Sequence, residues 1–217
     1  MEMPEFAITD ISRMRAEYEG EGLPDTVTDP VGLFEHWLAD AVAAGVHEPN
    51  AMALATATPD GRPSVRIVLL KGFDARGLVF FTGYASRKGR EIEANPRAAA
   101  TMLWHPLRRQ VRVEGSVERV DPADSDAYFA SRPRGAQISA AASPQSEVVA
   151  DRGELDRHRE DVEARFEGRE VERPGTWGGF RIALETIEFW QGREDRFHDR
   201  LRFARSSDGW TVDRLAP

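Results

Sequence analysis

Apolar and polar residues alternate along this chain on two different periods. Between residues 29 and 45 the period is helical: Leu33, Phe34, Trp37, Leu38 and Val42 fall on one stripe, which reads as core. Asp29 before Pro30 supplies a cap and a first-turn proline, and Gly45 supplies the stop. A shorter helix is expected over about 7–18, with Thr9 or Asp10 as its cap. From residue 51 onwards the runs are short and β-rich. They are AMALATA (51–57), SVRIVLL (64–70), LVFFTG (78–83), AAATMLW (98–104), QVRVEGSVERV (110–120), GFRIALETIEFW (179–190) and GWTVDRL (209–215). PDGRP and FDARG are the turns between the first of them. Three helices interrupt the series: 87–94, capped by Ser86 and stopped before Pro96; one opened by Asp121-Pro122 through Ala130; and a charged helix over 152–166. Residues 131–150 are small and polar without a period, and are expected to form an ordered loop. Hairpin-length connections and the lack of alternating βαβ order predict a mainly β fold, an antiparallel barrel with peripheral helices.

Composition narrows the class. The 217 residues are 41% hydrophobic, enough to bury a sizeable core in one large domain or two small ones. No apolar run approaches the length of a membrane span. The acidic start MEMPEFAITD does not read as a secretory signal. Cysteine is absent, which excludes disulfides and thiolate chemistry and suits a cytoplasmic location. A net charge of −8 argues against general nucleic-acid binding. Of the 29 basic residues, 27 are arginine; the two lysines are Lys71 and Lys88. Both lie within 62–90, a window with seven basic residues and a single acid, Asp74. That local reversal in an acidic chain points to an anion site or to a basic surface patch.

Three segments carry candidate chemistry. In RIVLLK, strand alternation puts Arg66, Val68 and Leu70 on one face and Ile67, Leu69 and Lys71 on the other. In SRKGRE, Arg87 and Lys88 stand at a helix start, where cations oppose the dipole unless an anion sits there to meet them and the free N–H groups. The stretch YFASRPRGAQISAAASPQS (128–146) combines a phenol with arginine forks suited to phosphate or carboxylate; a mobile surface loop fits its composition equally well. The charged run QGREDRFHDRL (191–201) reads first as a solvated turn. If extended, it would turn Arg196 and His198 to one side and Phe197 to the other. His36, His47, His105, His158 and His198 show no metal-ligand spacing, and G-x-S-x-G and G-x-G-x-x-G are absent.

Taken together and in order, RIVLLK, FFT-x-x-x-SRKGRE-x-x-x-NPRAA, RRQVRVEG, YFASRPRG-x-Q, SPQS, WGGFR, IEFWQG, R-x-HDR and RLAP resemble the pyridoxine/pyridoxamine 5′-phosphate oxidase family, from about Met14 to Pro217. The resemblance implies an FMN-binding split β-barrel over 29–217, with residues 1–28 as an N-terminal arm or lid. It implies a homodimer with FMN at the subunit interface. By matched position, Arg66, Ile67, Val68, Leu69, Leu70 and Lys71 would lie along the flavin, Phe81 and Thr82 would contact it, and Arg87 and Lys88 would clamp its phosphate. Gln110, Gln145, Ser146, Trp190 and Arg200 match further flavin contacts, some contributed across the dimer. Lys71, Tyr128 and Arg132 match residues holding the substrate phosphate; Arg196 and His198 match residues over the substrate ring; Arg15 and Tyr18 match a closing R-x-x-Y. Where the family has Tyr, Ser, Gly and Trp, this chain has Phe81, Ala136, Ser139 and Ala141.

The implied chemistry is oxidation of pyridoxamine or pyridoxine 5′-phosphate to pyridoxal 5′-phosphate with dioxygen as acceptor, Arg196 and His198 acting as orienters before acid–base groups. Oxidation of another reduced ring, of the dihydrophenazine type, and non-catalytic carriage of flavin or pyridoxal phosphate are the alternatives. The implied partners are a second copy of the chain and a small phosphorylated substrate, with neither nucleic acid, membrane nor metal.

Overall fold

Asp29 opens helix α1 (Pro30–Ala43): its side chain accepts from the Val31 amide at 3.0 Å, and the helix closes at Ala44 before Gly45 at φ +66°. The structure, a computed structural model, describes Tyr18 and residues 22–217. The helix expected over 7–18, and Arg15 with it, falls outside the described residues apart from Tyr18. The buried stripe of α1 is Pro30, Phe34, Trp37 and Ala41. Val42, expected in the core, is 61% exposed, because the 3.6-residue period carries the stripe from Trp37 to Ala41 and turns Val42 away.

Ten strands follow: β1 (Ala51–Ala57), β2 (Pro63–Leu69), β3 (Gly72–Asp74), β4 (Gly77–Gly83), β5 (Arg97–Trp104), β6 (Arg109–Arg119), β7 (Trp177–Ala183), β8 (Thr186–Gln191), β9 (Asp199–Ser206) and β10 (Gly209–Arg214). Every pairing among them is antiparallel. The main order is β10-β9-β8-β6-β5-β1-β2, and a second arm runs β3-β4-β7. The two arms meet on β6. Its first half, Arg109–Glu114, pairs with β8, and its last residues, Val117–Arg119, pair with β7. The handover occurs at Gly115, where a Cβ would stand 1.9 Å from the Ala183 carbonyl oxygen; only glycine permits that approach. The run 179–190, one strand by its pattern, is therefore two: it breaks at Leu184–Glu185 so that each half can join a different part of β6. FDARG likewise contributes a short strand, β3, before its turn. β9 was not legible as a strand, because its charges hide the alternation of Leu201 and Phe203.

Both faces of the curled sheet are used. The inner face gathers Met52, Leu54, Met102, Trp104, Val111, Val113, Ile187, Phe189, Leu201 and Phe203, all at most 2% exposed. Helix α1 closes over them: Trp37 meets Phe189 edge-on at 5.2 Å and Phe34 meets Phe73 at 4.2 Å. Arg109 lies over Trp37 at 4.6 Å and pairs with Asp40 at 2.6 Å, so one side chain pins α1 to β6. Helix α2 (Arg87–Ala94) follows β4, with Ser86 as its N-cap. A second, smaller core of Phe129, Ile138, Val162, Val171 and Trp177 joins α3 (Pro122–Ser131), α4 (Arg134–Ala142) and α5 (Arg152–Arg165) to β7. Helix α4 corrects the loop expected over 131–150. Ile138 and the alanines beside it supply the apolar side, and their small size conceals the period.

Trp37→Ala removes the large ring over which α1 and the sheet meet. It is expected to lower stability by about 3–5 kcal/mol in urea unfolding. A loss below about 1 kcal/mol would show that α1 is not part of the cooperative core.

Candidate active-site cleft

Strand β2 is an edge strand, and the cleft runs along it. Cross-strand pairing sets its two faces: Ser64, Arg66 and Val68 pair with Thr56, Leu54 and Met52 on the inner side, whereas Val65 and Ile67 face outward, 68% and 65% exposed. A cleft of about 920 Å³ opens between β2, the end of β4, the start of α2, and the α3–α4 segment with the loop after it. Of the residues expected at the site, Arg66–Leu69, Lys71, Phe81, Thr82, Arg87, Lys88, Tyr128, Arg132, Gln145 and Ser146 all line it. Leu70 does not; it is buried in the core just past the strand.

The charged end is built at the α2 N-terminus. Gly89 lets the helix sit against the Tyr84 carbonyl, where a Cβ would come within 2.0 Å. Lys88 is only 6% exposed, and its Nζ donates to Thr82 Oγ1 at 3.0 Å and Ser86 Oγ at 3.3 Å. Both partners are neutral. Burial first, and then the nearby positive charge of Arg66, lower the Lys88 pKa to about 8. Thr82 Oγ1 and the Gly83 amide both donate to Gln145 Oε1 at 3.0 Å, tying the loop after α4 to the end of β4. Arg90 fixes the same loop through Glu147 at 2.6 Å.

Glu91, 5% exposed, stands behind these cations. Its Oε1 accepts from Arg87 Nε at 2.8 Å, and its Oε2 accepts from Thr56 and Ser64 hydroxyls at 2.5 Å and from Arg66 Nη2 at 3.3 Å. Burial alone would raise its pKa, but the bonds from Ser64, Thr56, Arg87 and Arg66 outweigh it and hold the group at about 2. The cluster therefore has three cations, Arg66, Arg87 and Lys88, against one carboxylate. Sequence reasoning did not single out Glu91, Thr56 or Ser64. The i,i+4 spacing of Arg87 and Glu91 was the available signal.

The other end of the cleft is aromatic. Phe81 stacks on Tyr128 at 4.0 Å and on Trp177 at 5.6 Å, and the Arg132 guanidinium lies 4.7 Å over the Trp177 ring. Among the described residues Arg132 Nη1 is buried without a hydrogen-bond partner, and burial lowers the Arg132 pKa. A buried, unpartnered guanidinium N–H in a cleft is a donor waiting for an anion. Ala136 and Ser139 line this end; the Ser139 hydroxyl donates back to the Gly135 carbonyl at 2.8 Å, and Ala141 packs into the smaller core.

The remaining expected residues lie elsewhere. Gln110 pairs with Trp190 and Trp190 with Arg200, one row across β6, β8 and β9. In the strand order β8 stands four places from β2, roughly 19 Å at the usual strand spacing. None of Gln110, Trp190, Arg196, His198, Arg200 and Tyr18 lines the cleft. Arg200 is paired with Glu188 at 2.8 Å, which raises its pKa. His198 packs against Trp190 at 4.6 Å and Tyr18 at 5.9 Å. The Arg193 amide donates to His198 Nδ1 at 3.1 Å, so the ring proton sits on Nε2. Burial and then the charge of Arg196 lower the His198 pKa and keep the ring neutral. The run turns, as first read, and the extended alternative does not hold: Glu194–Arg196 is an exposed 3₁₀ turn with Asp195 and Arg196 at φ +51° and +59°. Arg193, expected in a solvated turn, is instead half-buried and holds His198 through its backbone.

Comparison with known proteins gives a consistent picture. The family described as "Pyridoxamine 5′-phosphate oxidase" matches residues 38–166, and "Pyridoxine 5′-phosphate oxidase C-terminal dimerisation region" matches residues 177–217. A pyridoxine/pyridoxamine 5′-phosphate oxidase of Rubrobacter xylanophilus is 57% identical over 99% of this chain and 100% of its own length. The crystal structure of PhzG from Burkholderia lata 383, in complex with tetrahydrophenazine-1-carboxylic acid, superposes with a TM-score of 0.84 at 35% identity, over 89% of this chain and 95% of that one. An FMN-binding, pyridoxamine 5′-phosphate oxidase-related protein of Nostoc punctiforme shares the fold at 18% identity and a TM-score of 0.69, over 88% of this chain and 100% of that one.

The lowered Lys88 pKa gives the cleft a pH signature. Below about 8 the side chain is a cation and favours a bound anion; above it the charge is lost. Calorimetric titration with inorganic phosphate from about pH 8 to 10, where phosphate itself no longer titrates, is expected to show affinity falling by up to about tenfold per pH unit. Constant affinity over that range would mean that Lys88 does not meet the anion.

Proposed function

Because the chain belongs to the pyridoxamine 5′-phosphate oxidase family, we propose that it uses FMN to oxidise pyridoxamine 5′-phosphate and/or pyridoxine 5′-phosphate to pyridoxal 5′-phosphate, with dioxygen as acceptor. The amine consumes water and releases ammonia and hydrogen peroxide; the alcohol releases hydrogen peroxide alone. The observation that carries this reading is the pair of cationic groups in one cleft, on separate elements. One is Arg66, Arg87 and buried Lys88 at the start of α2; the other is Arg132 at the end of α3, with its orphaned Nη1. A phosphorylated cofactor and a phosphorylated substrate need two such places.

The residues present fit FMN. Three cations against one carboxylate leave two positive charges for a phosphate dianion. The backbone and side chains of 66–71, with Thr82, Gln145 and Ser146, form the walls beside them. When bound, FMN supplies the acceptor for hydride from the substrate carbon and returns the electrons to dioxygen. The protein's part is to bind and orient. Arg132 and Lys71 hold the substrate phosphate, and the Phe81–Tyr128–Trp177 stack buttresses Arg132. His198, neutral with its proton on Nε2, donates a hydrogen bond, and Arg196 brings a fixed positive charge beside it.

These last two residues reach the cleft from a second copy of the chain. Supporting this, residues 177–217, which carry β7–β10, match the dimerisation region. The sheet face that bears the Gln110–Trp190–Arg200 row also bears exposed Val65, Ile67 and Leu103 and the half-buried alanines of β1. Burial of that face against its symmetry mate would place each row at the other chain's cleft. Of the arm expected over residues 1–28, Tyr18 packs on Trp190 and His198 and would close over the site; residues 1–17 and 19–21 lie outside the described residues. No described helix is long and apolar enough to cross a membrane, and the cysteine-free composition supports a cytoplasmic location.

The likeness to PhzG favours a second reading, oxidation of a reduced phenazine-type ring, and Ala136 in the cleft lining offers no hydroxyl to a substrate phosphate. Higher identity over the full length of the Rubrobacter oxidase favours the vitamin phosphate.

Purified protein supplied with FMN and pyridoxamine 5′-phosphate under oxygen is expected to produce aldehyde and peroxide in equal amounts. No turnover with either vitamin phosphate would sink the proposal. Arg196→Met and His198→Ala are expected to keep FMN bound while lowering kcat/KM by up to roughly 10²-fold. His198→Gln, which can restore a donor near Nε2, is expected to recover part of that loss; loss of flavin from these variants would show that both roles are misassigned.

A further inference from the structure

Glu91 is a buried ionised group for which the proposed reaction has no use. It sits where three elements meet: α2 carries it, β1 supplies Thr56, and β2 supplies Ser64 and Arg66. We propose that Glu91 is a positioning residue that sets the phosphate cradle, by fixing the Arg66 and Arg87 guanidinium groups in the places from which they receive the phosphate of the flavin. This rests on the reading of the cleft as an FMN site.

The geometry divides the work between the two carboxylate oxygens. Oε1 takes Arg87 through Nε at 2.8 Å, one helical turn away, and leaves both Nη groups of Arg87 to a ligand. Arg87 is otherwise well exposed, so this bond restrains a side chain that would sample many rotamers in water. Oε2 takes Arg66 Nη2 at 3.3 Å and the two hydroxyls. Arg66 Nη1 in turn donates to Thr56 Oγ1 at 2.6 Å and to the Leu54 carbonyl at 3.2 Å, and Arg66 Nη2 also donates to Ser64 Oγ. Thr56 is thus a relay, accepting from Arg66 and donating to Glu91, and it is 3% exposed. The electrostatics point the same way. Without the carboxylate, Arg66, Arg87 and Lys88 would repel one another in a half-buried space, and Arg87 would swing into solvent. With its pKa held at about 2, the carboxylate is ionised at neutral pH.

A group that acts only on the phosphate cradle should matter for FMN and not for riboflavin, which lacks the phosphate. The experiment is equilibrium titration of the full-length apoprotein with each flavin, followed by flavin fluorescence, for wild type, Glu91→Gln and Thr56→Val. Wild type is expected to bind FMN far more tightly than riboflavin; equal affinities would overturn the FMN reading itself, whatever Glu91 does. Glu91→Gln is expected to weaken FMN about tenfold and to leave riboflavin within about twofold. Thr56→Val is expected to move FMN in the same direction, by about threefold, again without riboflavin. Two results overturn the proposal. Unchanged or tighter FMN binding would show that Glu91 competes with the phosphate for the cations. Equal weakening of both flavins would show that it merely ties α2 to the hairpin. If Glu91→Gln does not fold, Thr56→Val decides alone: an FMN-specific loss supports the proposal and its absence overturns it.

Discussion

Buried positive charge is the constraint on which this structure turns. Lys88 is packed away from water with hydroxyls as its partners among the described residues, and a second cation, Arg66, stands close enough to lower its pKa. Left alone, such an arrangement is unfavourable, and a helix N-terminus adds to the repulsion. Glu91 offsets part of it. The remainder is a demand for an anion, written into the place where β2, β4 and α2 converge. Arg132 repeats the demand at the far end of the cleft, with a guanidinium held over Trp177 and its buried Nη1 unmet among the described residues. The rest of the fold serves these two points. Gly89 lets α2 approach, Gln145 and Arg90 hold the covering loop, and the aromatic stack carries Arg132.

In the proposed dimer, the sheet accounts for why one chain carries only half of the site. Doubling back at Gly115 gives β6 two sets of partners and curls the sheet, leaving β2 as an edge. The groups that would orient a substrate ring, Arg196 and His198, follow β8, on the far side of three intervening strands. Yet His198 packs on Trp190, whose row shares an outward face with the exposed Val65 and Ile67. In the proposed dimer a single contact surface resolves both facts, covering the apolar strip and completing the cleft.

Much of this was legible in the sequence, for identifiable reasons. Caps and prolines announced α1, α2 and α3, since Asp29, Ser86 and Asp121 each accept from the amides they were expected to cap. The cationic helix start in SRKGRE announced the cationic end of the cleft, because the dipole argument needs no tertiary information. What escaped was set by tertiary contact. Helix α4 is written in alanine and serine, which carry little hydrophobic signal. The break between β7 and β8 depends on which strands they meet. The charged run was legible as a turn, but its extent to Arg196 needs left-handed backbone at two ordinary residues, which no pattern advertises. Glu91 was overlooked because a glutamate on a charged helix looks solvated until its hydroxyl partners on another hairpin are seen.

Subunit complementation tests the division of the site most directly. Doubly tagged heterodimers would pair one chain bearing Lys88→Met with another bearing Arg196→Met, each variant nearly inactive as a homodimer. If each cleft is completed by its partner, one of the two sites in the heterodimer is intact, and about half of the wild-type turnover per dimer is regained. If both groups act within one chain, every site carries a defect and the heterodimer stays as inactive as its parents. That result would contradict the account.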